Sequence, residues 1–305
     1  MKKIKFIFAA LALIAGIAVI SCTKENTQSS QAIATATDAI QIDYAASEIT
    51  GIIDDYETLN ASTFVSPVLK AGVADGPMST MGMSIDNCAT VSLVRTPVLT
   101  DAGIVKGATI TFKIDFGTTG CLGKDGKARR GTIISTYTWV KEGGWSRESA
   151  IDLYVSDIHH VGTQTSTFGV IGVNKHAYYT EKTTLKVIAK DLTWKQSVSE
   201  RQRELTEGNG GVNPIKIFKI TGNSTFSNSA GETSTYSISA TDPLIKRSDC
   251  KTFTSGTVTN VNKAGITTTI NYTVAGQTCP DGFTIKTTGD KNVKNNMMRF
   301  IKFLK

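Results

Sequence analysis

Apolar and polar residues alternate with a period of two through much of the chain after residue 130. In the segment SAIDLYVSDI, every second residue from Ile151 to Val155 is apolar, and Asp152 and Tyr154 stand between them. Period-two alternation with one polar face is typical of antiparallel strands that have one side in water. Short clusters such as KEGG and EGNGG provide turn signals between these runs. The pattern predicts a body of about twelve strands.

The predicted fold class is therefore all-β, as an antiparallel sheet that either packs as a sandwich or curls as one long-stranded sheet. One stretch near the N-terminus is different, because its apolar residues, among them Ile42, Ala45, Ile49 and Ile53, fall near helical spacing. This spacing predicts an N-terminal amphipathic helix over about 38–60. The acidic group DDYE at 54–57 is interpreted as the water-facing side of that helix.

The first residues have the composition of an export signal. Three lysines precede an apolar run of fifteen residues from Phe6 to Ile20, which is short for a transmembrane helix and is followed at once by polar residues. The junction Val-Ile-Ser-Cys, ending at Cys22, resembles a bacterial lipobox. That resemblance implies that Cys22 becomes the first residue of the mature protein and carries a diacylglycerol thioether and an acylated amine. The alternative is an ordinary cleaved signal with a cysteine nearby.

The domain organisation follows from this assignment. We predict a lipoprotein signal peptide over 1–21, a lipidated flexible tether over 22–37, and a single β-rich domain over 38–305. Thr23 stands where an aspartate is associated with inner-membrane retention, so resemblance to Gram-negative lipoproteins favours the outer membrane, with the domain in the periplasm or at the cell surface. A membrane, reached through the lipid anchor, is thus a predicted partner.

The charge balance does not favour a nucleic-acid partner. The net charge is +7, and it falls to +4 without residues 1–21, which hold three lysines and no acidic residue. A mild positive excess is weaker than the concentrated basic patch of a nucleic-acid-binding protein.

Two related segments hold the four remaining cysteines. The units 88–136 and 250–288 each begin with a cysteine and a strand, turn at DAG or KAG, and reach a second cysteine before an Asp-Gly loop. A strand that returns beside its neighbour brings two such cysteines close. We therefore predict the disulfides Cys88–Cys121 and Cys250–Cys279, each stabilising the fold by about 3–4 kcal/mol. Four free thiols and pairing between the units are the alternatives.

Two sets of side chains are candidates for ligand contact. The basic residues of CLGKDGKARRGTI either are solvated loop charges or contact an anion or glycan, and they include Lys127, Arg129 and Arg130. Aromatic residues either stack on a ligand or pack across strands, and the candidates are Trp139, Trp145, Trp194 and Tyr137.

The sequence contains no recognisable catalytic or cofactor motif. It has no G-x-S-x-G segment, no phosphate-binding loop and no C-x-x-C pair. His159 and His160 are adjacent, and neighbours on a strand point to opposite faces, so they form a poor joint metal site. We predict no catalytic residues, no metal and no cofactor.

Three further segments resemble a group of uncharacterised Bacteroidetes envelope lipoproteins: TITFKIDFGTTGCLGKDGKARRGTI, SVSERQRELTEG and DPLIKRSDCKTFTSGTVT. The likeness covers about residues 85–290. The second unit departs from the group's pattern, because it has INYTVAGQTCPDG where the group has Asp-Phe/Tyr-Gly before its cysteine. The resemblance implies an envelope lipoprotein of β structure and brings no activity.

The functional prediction is a non-enzymatic cell-envelope lipoprotein that serves as a binding or structural module. One alternative is a carrier of a lipid or other apolar ligand in a groove of the curled sheet, and another is a glycan-active enzyme. A continuous apolar lining with an empty volume on the concave face would favour the carrier, whereas a filled concave face would favour the binding module.

Overall fold

The computed structural model describes residues 30–54, 89–96, 109–123, 125–141, 144–171, 176–207, 215–250, 252–280, 282–288 and 296–299. Residues 30–54 form helix α1. The strands are β1 (Thr90–Thr96), β2 (Thr109–Asp115), β3 (Cys121–Leu122), β4 (Ala128–Lys141), β5 (Gly144–Val155), β6 (Ile158–Ile171), β7 (His176–Ile188), β8 (Trp194–Glu207), β9 (Ile217–Asn228), β10 (Thr233–Ile238), β11 (Leu244–Arg247), β12 (Phe253–Ser255), β13 (Thr257–Asn262), β14 (Thr267–Asn271), β15 (Gly282–Thr287) and β16 (Asn296–Arg299).

All of these strands belong to one antiparallel sheet, so the predicted all-β class is confirmed and the single curled sheet is the form observed. The hydrogen-bonded order runs β1-β2-β4-β5-β6-β7-β8-β9-β10-β13-β14-β15-β16. Strand β3 pairs with β4, while β11 pairs with β9 and β12. The described sheet is open, with β1 and β16 at its two edges. It has sixteen strands rather than about twelve.

Helix α1 begins eight residues earlier than its pattern predicted. Residues 30–37 were assigned to the flexible tether, and they are helical, with Ala32 and Ala36 fully buried. The tether prediction is wrong for this stretch because small alanines can enter a helix that approaches a sheet closely, and they give no strong hydrophobic periodicity. Residues 55–60, which the prediction included in the helix, lie outside the described residues.

The helix packs on the concave face of the sheet and closes the hydrophobic core. Ile42 and Ile49 of α1 belong to one buried cluster with Ile133, Leu153 and Leu185 from β4, β5 and β7. Along these long strands, alternate residues point toward the helix, as the period-two pattern requires. In the described part of the chain, no helix combines the length and the hydropathy needed to cross a bilayer.

The two rims of the sheet differ in their relation to α1. Its start lies at what we call the near rim, formed by the turns at 156–157, 189–193 and 229–232, because Gln31 donates to Glu232 of the last turn across 2.8 Å. The far rim is the opposite end of the strands, where β9 and β12 begin. The second half of α1 extends away from the near rim.

Each predicted repeat unit contributes three neighbouring antiparallel strands. In the first they are β1, β2 and β4, and in the second β13, β14 and β15. The units lie toward opposite edges of the sheet.

Candidate functional site

An ion pair between α1 and β8 crosses the protein interior. The guanidinium of Arg201 donates through Nη2 to Oδ1 of Asp43, whose side chain is only 7% exposed. The hydroxyl of Tyr236 on β10 donates to Oδ2 of the same carboxylate across 3.3 Å. Because removing charges from water is costly, each buried charge here depends on its partner.

A second carboxylate of α1 joins two strands that are not neighbours. Asp54 accepts from Arg203 on β8 at 2.8 Å and from Arg147 on β5 at 3.4 Å. Strands β6 and β7 lie between these two, so the sheet is concave toward the helix. Burial acts to raise the pKa of Asp54, but the charges and hydrogen bonds of Arg203 and Arg147 hold it below its ordinary value. Arg203 also lies 3.2 Å from Glu181.

A buried amide extends this polar interior. Gln164 on β6 accepts from Arg147 at 2.7 Å through Oε1. Its Nε2 donates to Thr50 of α1 at 2.8 Å and to Thr183 of β7 at 3.2 Å. The amide therefore binds three neighbours, and satisfied buried networks of this kind specify how a helix sits on a sheet.

The basic residues around the start of β4 also hold the helix. Lys127 Nζ lies 2.7 Å from Glu48 of α1, and Arg129 Nη2 lies 3.0 Å from the other oxygen of the same carboxylate. Arg129, the second residue of β4, is buried and also donates to Asp125 of the preceding loop. The interpretation of Arg129 as a solvated loop charge is therefore wrong. Arg130 instead lies over the ring of Tyr154 at 4.2 Å.

The aromatic candidates that the structure places pack mainly against one another. Tyr137 and Trp145 have ring centroids 5.1 Å apart, and Trp145 stacks on Phe168 at 5.6 Å. The row continues through Tyr179 to Phe218 on β9. This arrangement is the cross-strand packing that stood as the alternative to ligand contact.

Of the other two tryptophans, the structure describes the side chain of Trp194 alone. Trp194 lies at the start of β8 with Lys186 Nζ 4.6 Å from its ring centroid. Trp139 is opposite Trp145 in the β4–β5 register, and the position of its side chain lies outside the described residues.

One predicted disulfide is present in full. Cys250 and Cys279 are bonded, with their Cα atoms 5.2 Å apart, as predicted. Cys121 is buried and disulfide-bonded, while Cys88 lies outside the described residues, so the pairing Cys88–Cys121 stays a prediction. Cys22 also lies outside them.

A cleft of about 470 Å³ opens between the second half of α1 and the sheet. We call it the polar cleft. Its lining includes Glu181, Arg201, Arg203, Lys216, Phe218 and Lys246. Of its four basic residues, the two arginines are paired with the carboxylates described above.

The two lysines of the polar cleft have no such partner. Lys246 Nζ donates to the carbonyl oxygen of Cys250 at 2.6 Å, and among the described residues neither it nor Lys216 forms an ion pair. The nearby Asp249 is bonded to Arg247 instead. Burial lowers the pKa of Lys246 to about 8, although Asp249 opposes this shift.

A second cleft of about 370 Å³ lies nearer the start of α1 and shares Tyr44 and Glu48 with the polar cleft. We call it the apolar cleft. Its lining includes Ile40, Val155, Ile158, His160, Val187 and Ala189, so it opens at the near rim. Burial lowers the pKa of His160 and favours its neutral form.

Two groups that could bind a metal or transfer a proton already have partners of their own. His159 and His160 have separate partners, Asp152 at 2.7 Å and the carbonyl of Ile158 at 3.0 Å. Asp249 lies near two cysteine sulfurs, but these sulfurs are bonded to each other and offer no thiolate to a metal.

The sequence interpretation missed the charged interior. On β8, every second residue from Ser197 to Arg203 faces the concave side, and the period-two pattern alone does not tell which face of a strand is buried. The signal that could have found it was the position of Asp43 and Asp54 on the predicted helix, at a spacing of eleven residues that places them near one face. Asp54 in particular had been interpreted as water-facing.

Comparisons with known proteins identify no relative of this chain. A scan against protein-family models, a search of curated proteins and a search of solved structures each find no match.

Proposed function

We propose that this protein is a non-enzymatic lipoprotein of the cell envelope, a binding module held at a membrane by lipid on Cys22. The observation that carries the proposal is the set of charged groups that crosses the middle of the concave face. Helix α1 occupies it through the Asp43–Arg201 and Asp54–Arg203 ion pairs. A carrier of apolar ligands needs a continuous apolar lining in an empty groove, whereas here charged and amide groups cross the middle of that face.

The position of α1 supports anchoring by a short link. Seven residues separate Cys22 from the first helical residue at position 30, and this link spans at most about 28 Å when extended. Since α1 begins at the near rim, a lipid on Cys22 would hold that rim toward the bilayer. Exposed Leu122, Ile158 and Leu192 lie at this rim, Leu192 with 78% of its surface in water. The polar cleft would then open toward the medium.

The electrostatics of the polar cleft do not support glycan hydrolysis. Glycosidases need one carboxylic acid with a raised pKa to protonate the leaving group. The pKa of Asp54 is lowered, and the arginine beside it also binds Glu181. This pair of carboxylates therefore suits structural ion pairing better than proton donation.

Lipid carriage stays as the second candidate, and the apolar cleft is the observation that favours it. Its volume of about 370 Å³ lies at the lower end of the range of ligand pockets. A bound acyl chain would enter it from the near rim.

The test uses the full chain expressed in a Gram-negative host fed an alkyne-tagged fatty acid. We expect label and membrane association in the native chain, and neither in Cys22→Ser. Membrane-bound, unlabelled protein in both would contradict the anchor.

A second experiment separates the function classes with the domain purified without its anchor. We expect solvent extraction to release no stoichiometric lipid, and a polysaccharide panel to show no new reducing ends. One lipid per chain would establish the carrier instead, and new reducing ends would establish an enzyme.

A further inference from the structure

Two lysines stand side by side at the mouth of the polar cleft. In the β9–β11 register, Lys246 is opposite Phe218. Lys216 and Ser248 lie opposite each other two residues further along these strands. Lys216 N donates to Ser248 Oγ, and Ser248 N donates to the carbonyl of Lys216, both across 2.9 Å. Lys216 and Lys246 are thus diagonal neighbours on one face, a position in which Cβ atoms are about 7–8 Å apart.

This pair of like charges is unbalanced within the described residues. The three interior arginines are matched by three carboxylates, from Asp43, Asp54 and Glu181. Neither lysine has a carboxylate of the described residues within ion-pair distance. Two neighbouring ammonium groups repel each other, and the partial burial of Lys246 makes its charge more costly. Groups retained against folding stability in this way are characteristic of binding sites.

Aromatic surfaces complete the arrangement. Phe218 and Phe253 lie on the strands to either side of Lys246, at register positions opposite it. Both line the polar cleft. The guanidinium of Arg203 covers Phe218 at 4.8 Å, which orients the ring. A cationic centre between aromatic walls fits a charged group attached to a compact body.

We infer that the polar cleft binds a small organic anion, with its carboxylate or phosphate between Lys216 and Lys246 and its body against Phe218 and Phe253. This inference rests on the proposed binding function and names the ligand class of the same site. The cleft volume of about 470 Å³ suits a molecule of monosaccharide size, such as an acidic sugar.

The inference can be tested with three sugars that share the same ring and differ in the group at C6. Glucose, glucuronate and glucose 6-phosphate are titrated into the anchor-free domain at neutral pH and moderate ionic strength, and binding is followed by calorimetry and by amide chemical shifts. We expect one or both anionic sugars to bind at least on the order of tenfold more tightly than glucose. The shifts should concentrate on β11 and the start of β9. The ratio of the two anions decides between carboxylate and phosphate.

Charge-removing variants locate the site. Lys246→Gln and Lys216→Gln should each weaken binding of the anionic sugar on the order of tenfold or more. The matched control is Lys263→Gln, an exposed lysine in the β13–β14 turn, which should bind as the native domain does. Circular dichroism confirms folding of each variant.

The outcomes separate this inference from the proposed function. Equal binding of all three sugars would overturn the anion while leaving a binding module. Anion binding that is unchanged in both lysine variants would overturn the site. Failure of all three sugars to bind would overturn the inference, whereas the anchor is decided independently by labelling at Cys22 and carriage by lipid extraction.

Discussion

The two clefts beside α1 are formed by one helix and one sheet and share Glu48, yet they differ in how many charged groups line them. On the polar side, α1 presents carboxylates, and β8 answers with Arg201 and Arg203. The apolar cleft is lined instead by Ile40 of α1 and by Val155 and Val187 of the sheet. The difference teaches that this sheet tolerates charge on its inner face where the helix supplies a partner. Lys246 is the exception, because it has no carboxylate partner among the described residues. This missing partner is what suggests a ligand.

The largest effect is expected when the interior pairing is broken. Asp43→Asn leaves the guanidinium of Arg201 buried without a carboxylate, and it should lower the free energy of unfolding by about 3–5 kcal/mol. Urea denaturation at neutral pH measures it. The control is Lys182→Gln, which breaks the exposed Lys182–Glu200 pair of 2.7 Å and should cost under about 1 kcal/mol. Equal losses in the two variants would show that the stability of the protein does not depend on the buried Asp43–Arg201 pair.

Removing the exception should stabilise the protein. The folded-state pKa of Lys246 is about 8, below its ordinary 10.5, so Lys246→Met should raise the free energy of unfolding at pH 7 by about 3 kcal/mol. The unfolded chain binds more protons than the folded one between pH 8 and 10.5. The native protein therefore gains stability over that window relative to the variant, and the difference between them shrinks. If Lys246→Met were less stable than the native domain at pH 7, the conclusion that Lys246 has no compensating partner would be wrong.

The near-rim turn beside the apolar cleft gives a smaller effect. Leu192 has φ of 66°, in the left-handed region that a leucine occupies at a cost. Leu192→Asn should raise the free energy of unfolding by about 1 kcal/mol, because asparagine tolerates this conformation. Leu192→Ala is the matched control, since it removes the exposed side chain and keeps the backbone cost. Thermal unfolding distinguishes them, and a gain in both variants would assign the effect to the lost apolar surface instead.

The smallest effect probes the apolar cleft by pH. Burial lowers the pKa of His160 below that of the unfolded chain. Its contribution to stability is therefore complete above pH 6.5 and is lost as the pH falls from there toward the folded-state pKa. His160→Gln should flatten the decline in stability as the pH falls below about 6.5. A decline that is as steep in this variant as in the native domain would contradict the assignment to His160.

The predictability of α1 differed between its two ends. The helix could be predicted from Ile40 onward, because large apolar residues at helical spacing are a strong signal. The first turns depend on Ala32 and Ala36, which are buried through contact with the sheet. Since alanine is common in any helix or linker, only the position of the sheet reveals that these residues are packed.

The sequence by itself determined that the chain forms antiparallel strands and that Cys250 bonds Cys279, because period-two alternation and a returning strand are local properties. It could not determine which face of β8 lies inside. Serine and arginine on alternate positions define a face, but its burial depends on Asp43 and Asp54, more than 140 residues away in the chain. The tertiary structure alone brings those carboxylates over the sheet, and the free energy of a buried charge depends on its partner more than on its own chemistry.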